Sequence, residues 1–213
     1  IGGYPLYFVN YFQDFRECLL AISEKYADRT LFVLFDADGT RRTVTYQAFR
    51  QDVEAVAASL LSLGLGGSHV AIVGENSYPW IVSLFAVTTT GGVAVTVDTE
   101  QSDEAIVQMV RRADAKAVLC SDTFLPLFSQ LSREYDGLSY VFSMDEAKGG
   151  EENRFTFDTL LRDGRLRAWM GSDIRIDPDQ PAMIVFTSGT TNASKPVLLS
   201  HRNLMANACH AES

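Results

Sequence analysis

Apolar residues at Phe12, Phe15, Cys18, Leu19, Ile22 and Tyr26 fall three and four positions apart, which predicts a helix with one apolar stripe. The extended run LFVLF (31–35) is followed by DADG (36–39), where Gly39 permits a hairpin turn into TVTY (43–46). From there the pattern alternates. A helix is expected over 47–63, a strand at HVAIV (69–73), a helix at 79–90 and a strand at 93–97. A helix at 103–113, the strand KAVLC (116–120), a shorter helix near 124–134 and the strand LSYVFSM (138–144) continue it. The polar stretch 146–153 reads as a surface loop, 156–170 as a helix, and 174–181 as the connection into a last apolar run. Strands that are almost wholly apolar and alternate with helices mark a parallel sheet covered on both faces. The expected fold is therefore α/β, a layered αβα arrangement with a mostly parallel sheet. Its expected organisation is an N-terminal helix and hairpin (1–45), a βα-alternating body (46–180) and a final segment (181–213), with no internal repeat and no low-complexity tract.

One stretch tests this picture. Residues 76–97 (NSYPWIVSLFAVTTTGGVAVTV) carry no charge and are long enough to span a bilayer, but TTTGG in their middle breaks the run. A buried helix, a glycine turn at Gly91–Gly92 and a buried strand at Val93–Val97 explain it more simply, so no membrane span is expected. With 213 residues, 46% of them hydrophobic and 21% charged, the chain has a globular composition. Its 18 Lys and Arg against 27 Asp and Glu give a net charge of −9, which repels a long polyanion such as nucleic acid. Any anionic ligand needs a local site. Cys18, Cys120 and Cys209 are odd in number, far apart and outside metal-ligand spacing, which fits reduced thiols and a cytoplasmic location better than a disulfide framework. No secretory signal is visible, and the isoleucine at position 1 points to a trimmed or processed chain.

Several chemical motifs fail on inspection. The aspartates of DADG lack the glycine an EF-hand loop requires, since that position is Arg41. Gly64, Gly66 and Gly67 precede a strand instead of following one, and the third position of a dinucleotide fingerprint is His69, so they form a helix-to-strand turn. No nucleophile elbow surrounds Ser188, because Phe186 occupies the needed glycine position. Ser200 beside His201 fits the N-cap of a helix beginning HRNLMANA better than a catalytic pair. His69, His201 and His210 lack the spacing of a zinc site.

What is left is TSGTTNASK (187–195), set between two apolar runs. Nucleotide phosphates require hydroxyl and backbone N–H donors that approach closely, together with a cation. Thr187, Ser188, Thr190, Thr191 and Ser194, with Gly189 and the ammonium of Lys195, supply those groups. It is not a Walker A loop, since Ser194 stands at the second glycine and Pro196 at the hydroxyl position, and the proline prevents a helix from starting there. The elements around it read as strand, loop, strand, with VLL (197–199) as the second strand. Two readings fit: a phosphate cradle, or a solvated Ser/Thr turn with a surface lysine.

The segment IVFTSGTTNASKPVLLSHRNL resembles the phosphate-loop signature of the adenylate-forming superfamily, approximately [YF]-T-S-G-T-T-G-x-P-K-G-V followed by L-S-H-x-N. That superfamily includes acyl- and aryl-CoA synthetases, adenylation domains of peptide synthetases, and luciferases. Upstream, TVTYQAF resembles the family's L-T-Y-x-E-L, and the segment 63–98 resembles its L-G-x-x-x-G-D-x-V-A-I-x-x-x-N-S-x-E-W with the following helix, turn and strand. The resemblance covers about residues 30 to 210. Asn192 stands where the family usually has glycine or serine, Ser194 where it has proline, and Pro196 where it has glycine. Asparagine tolerates left-handed backbone, whereas Pro196 removes a backbone N–H and stiffens the loop exit. Asn76 and Ser77 are expected to shape the turn after their strand, and Tyr46 and Trp80 to pack in the core.

The resemblance implies an ATP-dependent acid–thiol ligase of the acyl-CoA synthetase kind, with ATP, Mg²⁺ and coenzyme A as cofactors and a carboxylic acid, most commonly a fatty acid, as substrate. It implies that Thr187, Ser188, Gly189, Thr190, Thr191 and Lys195 hold the nucleotide phosphates. It further implies that the groups holding adenine, ribose and metal, and the lysine that activates the carboxylate, lie beyond Ser213. The chain is then the first part of the family's large N-terminal domain, without the C-terminal domain and without turnover of its own. The competing expectation is a diverged, non-catalytic, partner-binding module.

Overall fold

The computed structural model describes residues 11–36, 38–145, 155–167, 169, 171–187 and 194–210. Helix α1 (Phe15–Lys25) starts at Asp14, whose carboxylate accepts from the backbone N–H groups of Arg16 and Glu17 at 2.8 and 2.9 Å. Those donors would otherwise be unsatisfied at a helix start. Strands β1 (Thr30–Phe35) and β2 (Arg41–Thr45) pair antiparallel as a separate two-stranded hairpin, with Gly39 at a φ of 84° in the turn. Thr45 then caps α2 (Tyr46–Ser62) by accepting from the N–H of Ala48.

The main sheet holds β3 (His69–Val73), β4 (Val93–Thr96), β5 (Ala117–Cys120), β6 (Tyr140–Ser143), β7 (Pro181–Thr187) and β8 (Lys195–Ser200), in the order β6-β5-β3-β4-β7-β8. Every adjacent pair is parallel except β7 with β8, so the sheet is mostly parallel, as the apolar runs require. The helices between these strands are α3 (Tyr78–Thr89), α4 (Asp103–Arg112), α5 (Leu125–Glu134) and α6 (Phe157–Arg165), and α7 (His201–His210) follows β8.

The period-two alternation of the strands divides the core between two faces. Val70, Ile72, Ala94, Ala117, Leu119 and Phe142 pack against α2, α3 and α6, while Ala71, Val73, Val95, Val118 and Ile184 pack against α4 and α5. This is the three-layer αβα arrangement. Phe49, Phe128 and Phe142 are fully buried, and burying such a ring contributes about 1.5–3 kcal/mol. The uncharged stretch 76–97 becomes α3 and β4 inside this core, and among the described residues no helix is long and apolar enough to cross a membrane.

One boundary differs from expectation. The helix anticipated over 156–170 ends at Arg165, because the N–H groups of Leu166 and Arg167 both turn back to the carbonyl of Gly164 and Leu166 is 83% exposed. The apolar stripe that would carry the helix further is lost there.

Candidate phosphate-binding hairpin and sheet-edge crevice

In an open parallel sheet, ligands bind at the carboxyl ends of the strands, where neighbouring connections leave to opposite faces. Here β3 and β5 are neighbours; β3 leads into α3 on one face and β5 into α5 on the other. A crevice of about 490 Å³ opens at that point, lined by Glu75, Ser77, Thr99, Ser121, Thr123 and Asp145 among others. Two of its lining residues are packed closely against the chain: a side chain at Gly74 would meet Met144 and the backbone of Ser121. Buried Ser143 orders one wall by donating to Asp122 at 2.5 Å, and Asp145 accepts from the N–H of Asp122 at 2.6 Å.

β7 runs parallel to β4, so its carboxyl end at Thr187 emerges along the same sheet edge as the crevice. There the chain reverses. Thr187 pairs in register with Lys195, Phe186 with Pro196 and Val185 with Val197. Residues directly opposite in an antiparallel ladder project to the same face with Cβ atoms about 4.5–5.5 Å apart. The Thr187 hydroxyl and the Lys195 ammonium stem therefore share a face at the mouth of the reversal, and both are exposed. Pro196 lies on the edge strand β8, one of the few places a ladder admits proline. Of the sequence-derived site residues, Thr187 and Lys195 are brought together; Ser188, Gly189, Thr190 and Thr191 lie outside the described residues, as does Asn192.

A cation from elsewhere reaches this mouth. Arg112, in the last turn of α4, donates from Nη1 to the carbonyl oxygen of Ser194 at 2.7 Å. Sequence reasoning missed Arg112, since nothing local distinguishes it from Arg111. It also missed the crevice as a unit, although polar residues follow β3, β4, β5 and β6 alike, at 75–77, 98–99, 121–123 and 145.

Ser200 and His201 take the structural roles their positions suggest. The Ser200 hydroxyl accepts from the N–H of Asn203 at 3.2 Å, and the Asn203 side chain accepts from the N–H of Ser200 at 3.3 Å, a reciprocal cap on α7. His201 is 1% exposed and turns to α1, away from the serine hydroxyl. Ser77 likewise caps α3 by accepting from the N–H of Trp80.

A sequence model described as AMP-binding enzyme matches residues 20–212, nearly the whole chain. The chain belongs to this family. Within it, the chain is 31% identical over 214 aligned residues to the medium-chain acyl-CoA ligase ACSF2, mitochondrial, of Danio rerio, an alignment covering 90% of this chain and 34% of the relative. Among solved structures, a red-emitting luciferase from Phrixothrix hirtus matches with a TM-score of 0.80 at 20% identity, over 100% of this chain and 40% of that one. The anthranilate CoA ligase AuaEII, solved in complex with anthranoyl-AMP, matches with a TM-score of 0.74 at 20% identity, over 91% of this chain and 36% of that one. The chain thus shares the fold of a part of each of these structures and spans about a third of the length of its curated relative.

Proposed function

We propose that this chain supplies the phosphate-gripping part of an ATP-dependent ligase that activates a carboxylic acid, with a fatty acid as substrate and the thiol of coenzyme A as acceptor. The observation that carries this reading is the in-register pair of Thr187 and Lys195, a hydroxyl and an ammonium closing a hydroxyl-rich reversal at the carboxyl edge of a parallel sheet. The relative from Danio rerio, an acyl-CoA ligase by name, supports the reaction class. Among the described residues, the crevice beside the hairpin is lined by Glu75 and Asp145 and by no lysine or arginine, which favours the hairpin as the place for a polyanion.

In the first half-reaction a carboxylate oxygen of the acid bonds to the α-phosphorus of ATP, the bond to the bridging oxygen breaks, and pyrophosphate leaves. In the second, the thiol sulfur bonds to the acyl carbon, AMP departs, and the thiol proton passes to solvent. Negative charge grows on the leaving pyrophosphate, and Lys195 with the donors of Thr187, Ser188, Gly189, Thr190 and Thr191 stabilises it through a fixed charge and fixed dipoles. Mg²⁺ would neutralise further phosphate charge when bound. Among the described residues no group of three or more metal-ligating side chains comes together, so they offer it no ligand set. The organisation that goes with this reading is a helix and hairpin (1–45), a βα body (46–180) and the phosphate-binding end (181–213).

Lys195→Ala in the complete protein tests the assignment. Acid-dependent exchange of pyrophosphate into ATP is expected to slow about 100-fold, and transfer from a preformed acyl-adenylate to coenzyme A much less. Equal slowing of both steps, or of neither, removes the assignment. Turnover by the 213-residue chain alone is expected to be absent, measured as pyrophosphate release with ATP, Mg²⁺ and a panel of acids. A complete protein that does not bind ATP would favour the non-catalytic partner-binding module, with Asn192, Ser194 and Pro196 as traces of lost nucleotide binding.

A further inference from the structure

Lys195 begins β8 directly after the reversal, and the residue that follows it cannot help to hold it, because Pro196 has no N–H to donate. The residue before it is held from outside the hairpin. Across 82 positions of sequence, Arg112 donates from Nη1 to the Ser194 carbonyl oxygen at 2.7 Å, the length of a charge-assisted bond. That oxygen and the Lys195 N–H belong to one planar peptide unit, so fixing the oxygen also fixes where the Lys195 backbone begins.

The root of this tether is firm. Ser102 caps α4 by accepting from the N–H of Ala105, and Ile106, Met109 and Val110 are buried against the sheet. Arginine at the last turn also sits favourably against the carbonyl end of its own helix. Its planar fork, once placed, loses less freedom per hydrogen bond than a lysine would.

The two cations do not duplicate each other. By strand alternation Thr187 and Lys195 share the face of Met183, which packs against the α2–α3 side of the core. Helix α4 lies on the other face, with Ile184 and Phe186. Arg112 thus grips the hairpin from behind while the ammonium stem of Lys195 leaves from the front. The Arg112 guanidinium has no hydrogen-bond or ion-pair partner among the described residues apart from the Ser194 carbonyl.

We infer that Arg112 is a positioning residue for the first half-reaction: it sets the backbone of Ser194 and thereby the placement of Lys195. This inference rests on the phosphate-binding reading of Lys195.

The test is a double-mutant cycle in the complete protein, read as acid-dependent pyrophosphate exchange, with thermal unfolding followed in parallel. Arg112→Ala is expected to slow exchange about fivefold, with transfer from preformed adenylate to thiol unchanged. Arg112→Lys should restore part of the rate. In the Lys195→Ala background, Arg112→Ala should have no further effect. If Lys195→Ala slows exchange and Arg112→Ala does not, or if the two effects multiply independently, the positioning role is overturned while the reading of Lys195 stands. If Lys195→Ala leaves exchange unchanged, that reading fails and the inference fails with it. Should Arg112→Ala unfold the protein, Arg112→Gln, which keeps a polar aliphatic stem on α4 but ends two bonds short of the arginine Nη1, takes its place in the same cycle, with the same outcomes deciding.

Discussion

His201 and Phe15, 186 positions apart, meet where the last helix docks on the first: the N–H of Phe15 donates to Nδ1 of His201 at 3.5 Å, and the two rings lie edge to face at 5.7 Å. Accepting at Nδ1 requires that nitrogen to be unprotonated, so the neutral imidazole is the form that docks α7 onto α1. Burial holds His201 below the usual histidine value; Asp14 opposes this and the Arg16 guanidinium adds to it. An unfolded histidine takes up its proton near pH 6.5, above the folded value, so the unfolded state binds more protons in the interval between. The contribution of His201 is therefore fully present above about pH 6.5 and is lost as the pH falls below it. Urea unfolding from pH 8 to pH 5 should show stability declining in that window, and His201→Asn should flatten this part of the profile. An unchanged profile would remove His201 as its cause.

Gly164 sits where α6 crosses α2, and a methyl group there would land on the backbone carbonyl of Ala55. The two helices must separate to admit it. Gly164→Ala is expected to cost about 1–3 kcal/mol despite the better helix propensity of alanine, as measured by urea denaturation. A stabilised variant would show that the contact is looser than described.

The phenol of Tyr78 donates to Asp52 at 2.7 Å, and Arg165 donates to the other carboxylate oxygen at 2.5 Å, joining α3, α2 and α6 through one carboxylate. Burial, and after it Asp52, pushes the phenol far above its ordinary value. Tyr78→Phe should destabilise the fold by about 1 kcal/mol. In the parent chain, absorbance titration should find the Tyr78 phenol un-ionised until the alkaline unfolding transition. A phenolate near pH 10 in the folded protein that Tyr78→Phe abolishes would contradict the network.

Ser200 caps α7 through its exchange of hydrogen bonds with Asn203, and that structural role is testable. Ser200→Ala should lower stability by about 1 kcal/mol while leaving pyrophosphate exchange by the complete protein within about twofold. A large loss of exchange without loss of stability would reverse that assignment.

The fold was legible wherever burial is two-sided. HVAIV, VAVT and AVLC are apolar at nearly every position because sheet neighbours and helices on both faces exclude water, and such runs admit few alternatives. The end of α6 was not legible, because Leu166 continues the apolar spacing in sequence while facing solvent in the fold. The hairpin could be foreseen from TSGTTNASK as strand, loop, strand, and its register follows from the pairing of β7 with β8. The crevice could not be foreseen in the same way, since Ser77, Thr99, Ser121 and Asp145 come from four connections that only the crossover from β4 to β5 brings together. Arg112 is the extreme case. Its partner is a backbone carbonyl, which carries no sequence signal.

Strand β4 lies between β3 and β7, and β7 is made long after β4 in chain order. While the protein is being synthesised, the apolar run through α3 and β4 therefore leaves the ribosome with one flank bare, and it stays so until residues 181–187 arrive to pair with it. A nascent sheet that ends in a bare β4 edge is open to a stranger's strand, so translation speed and chaperone supply over this interval should bear on the yield of correctly folded protein.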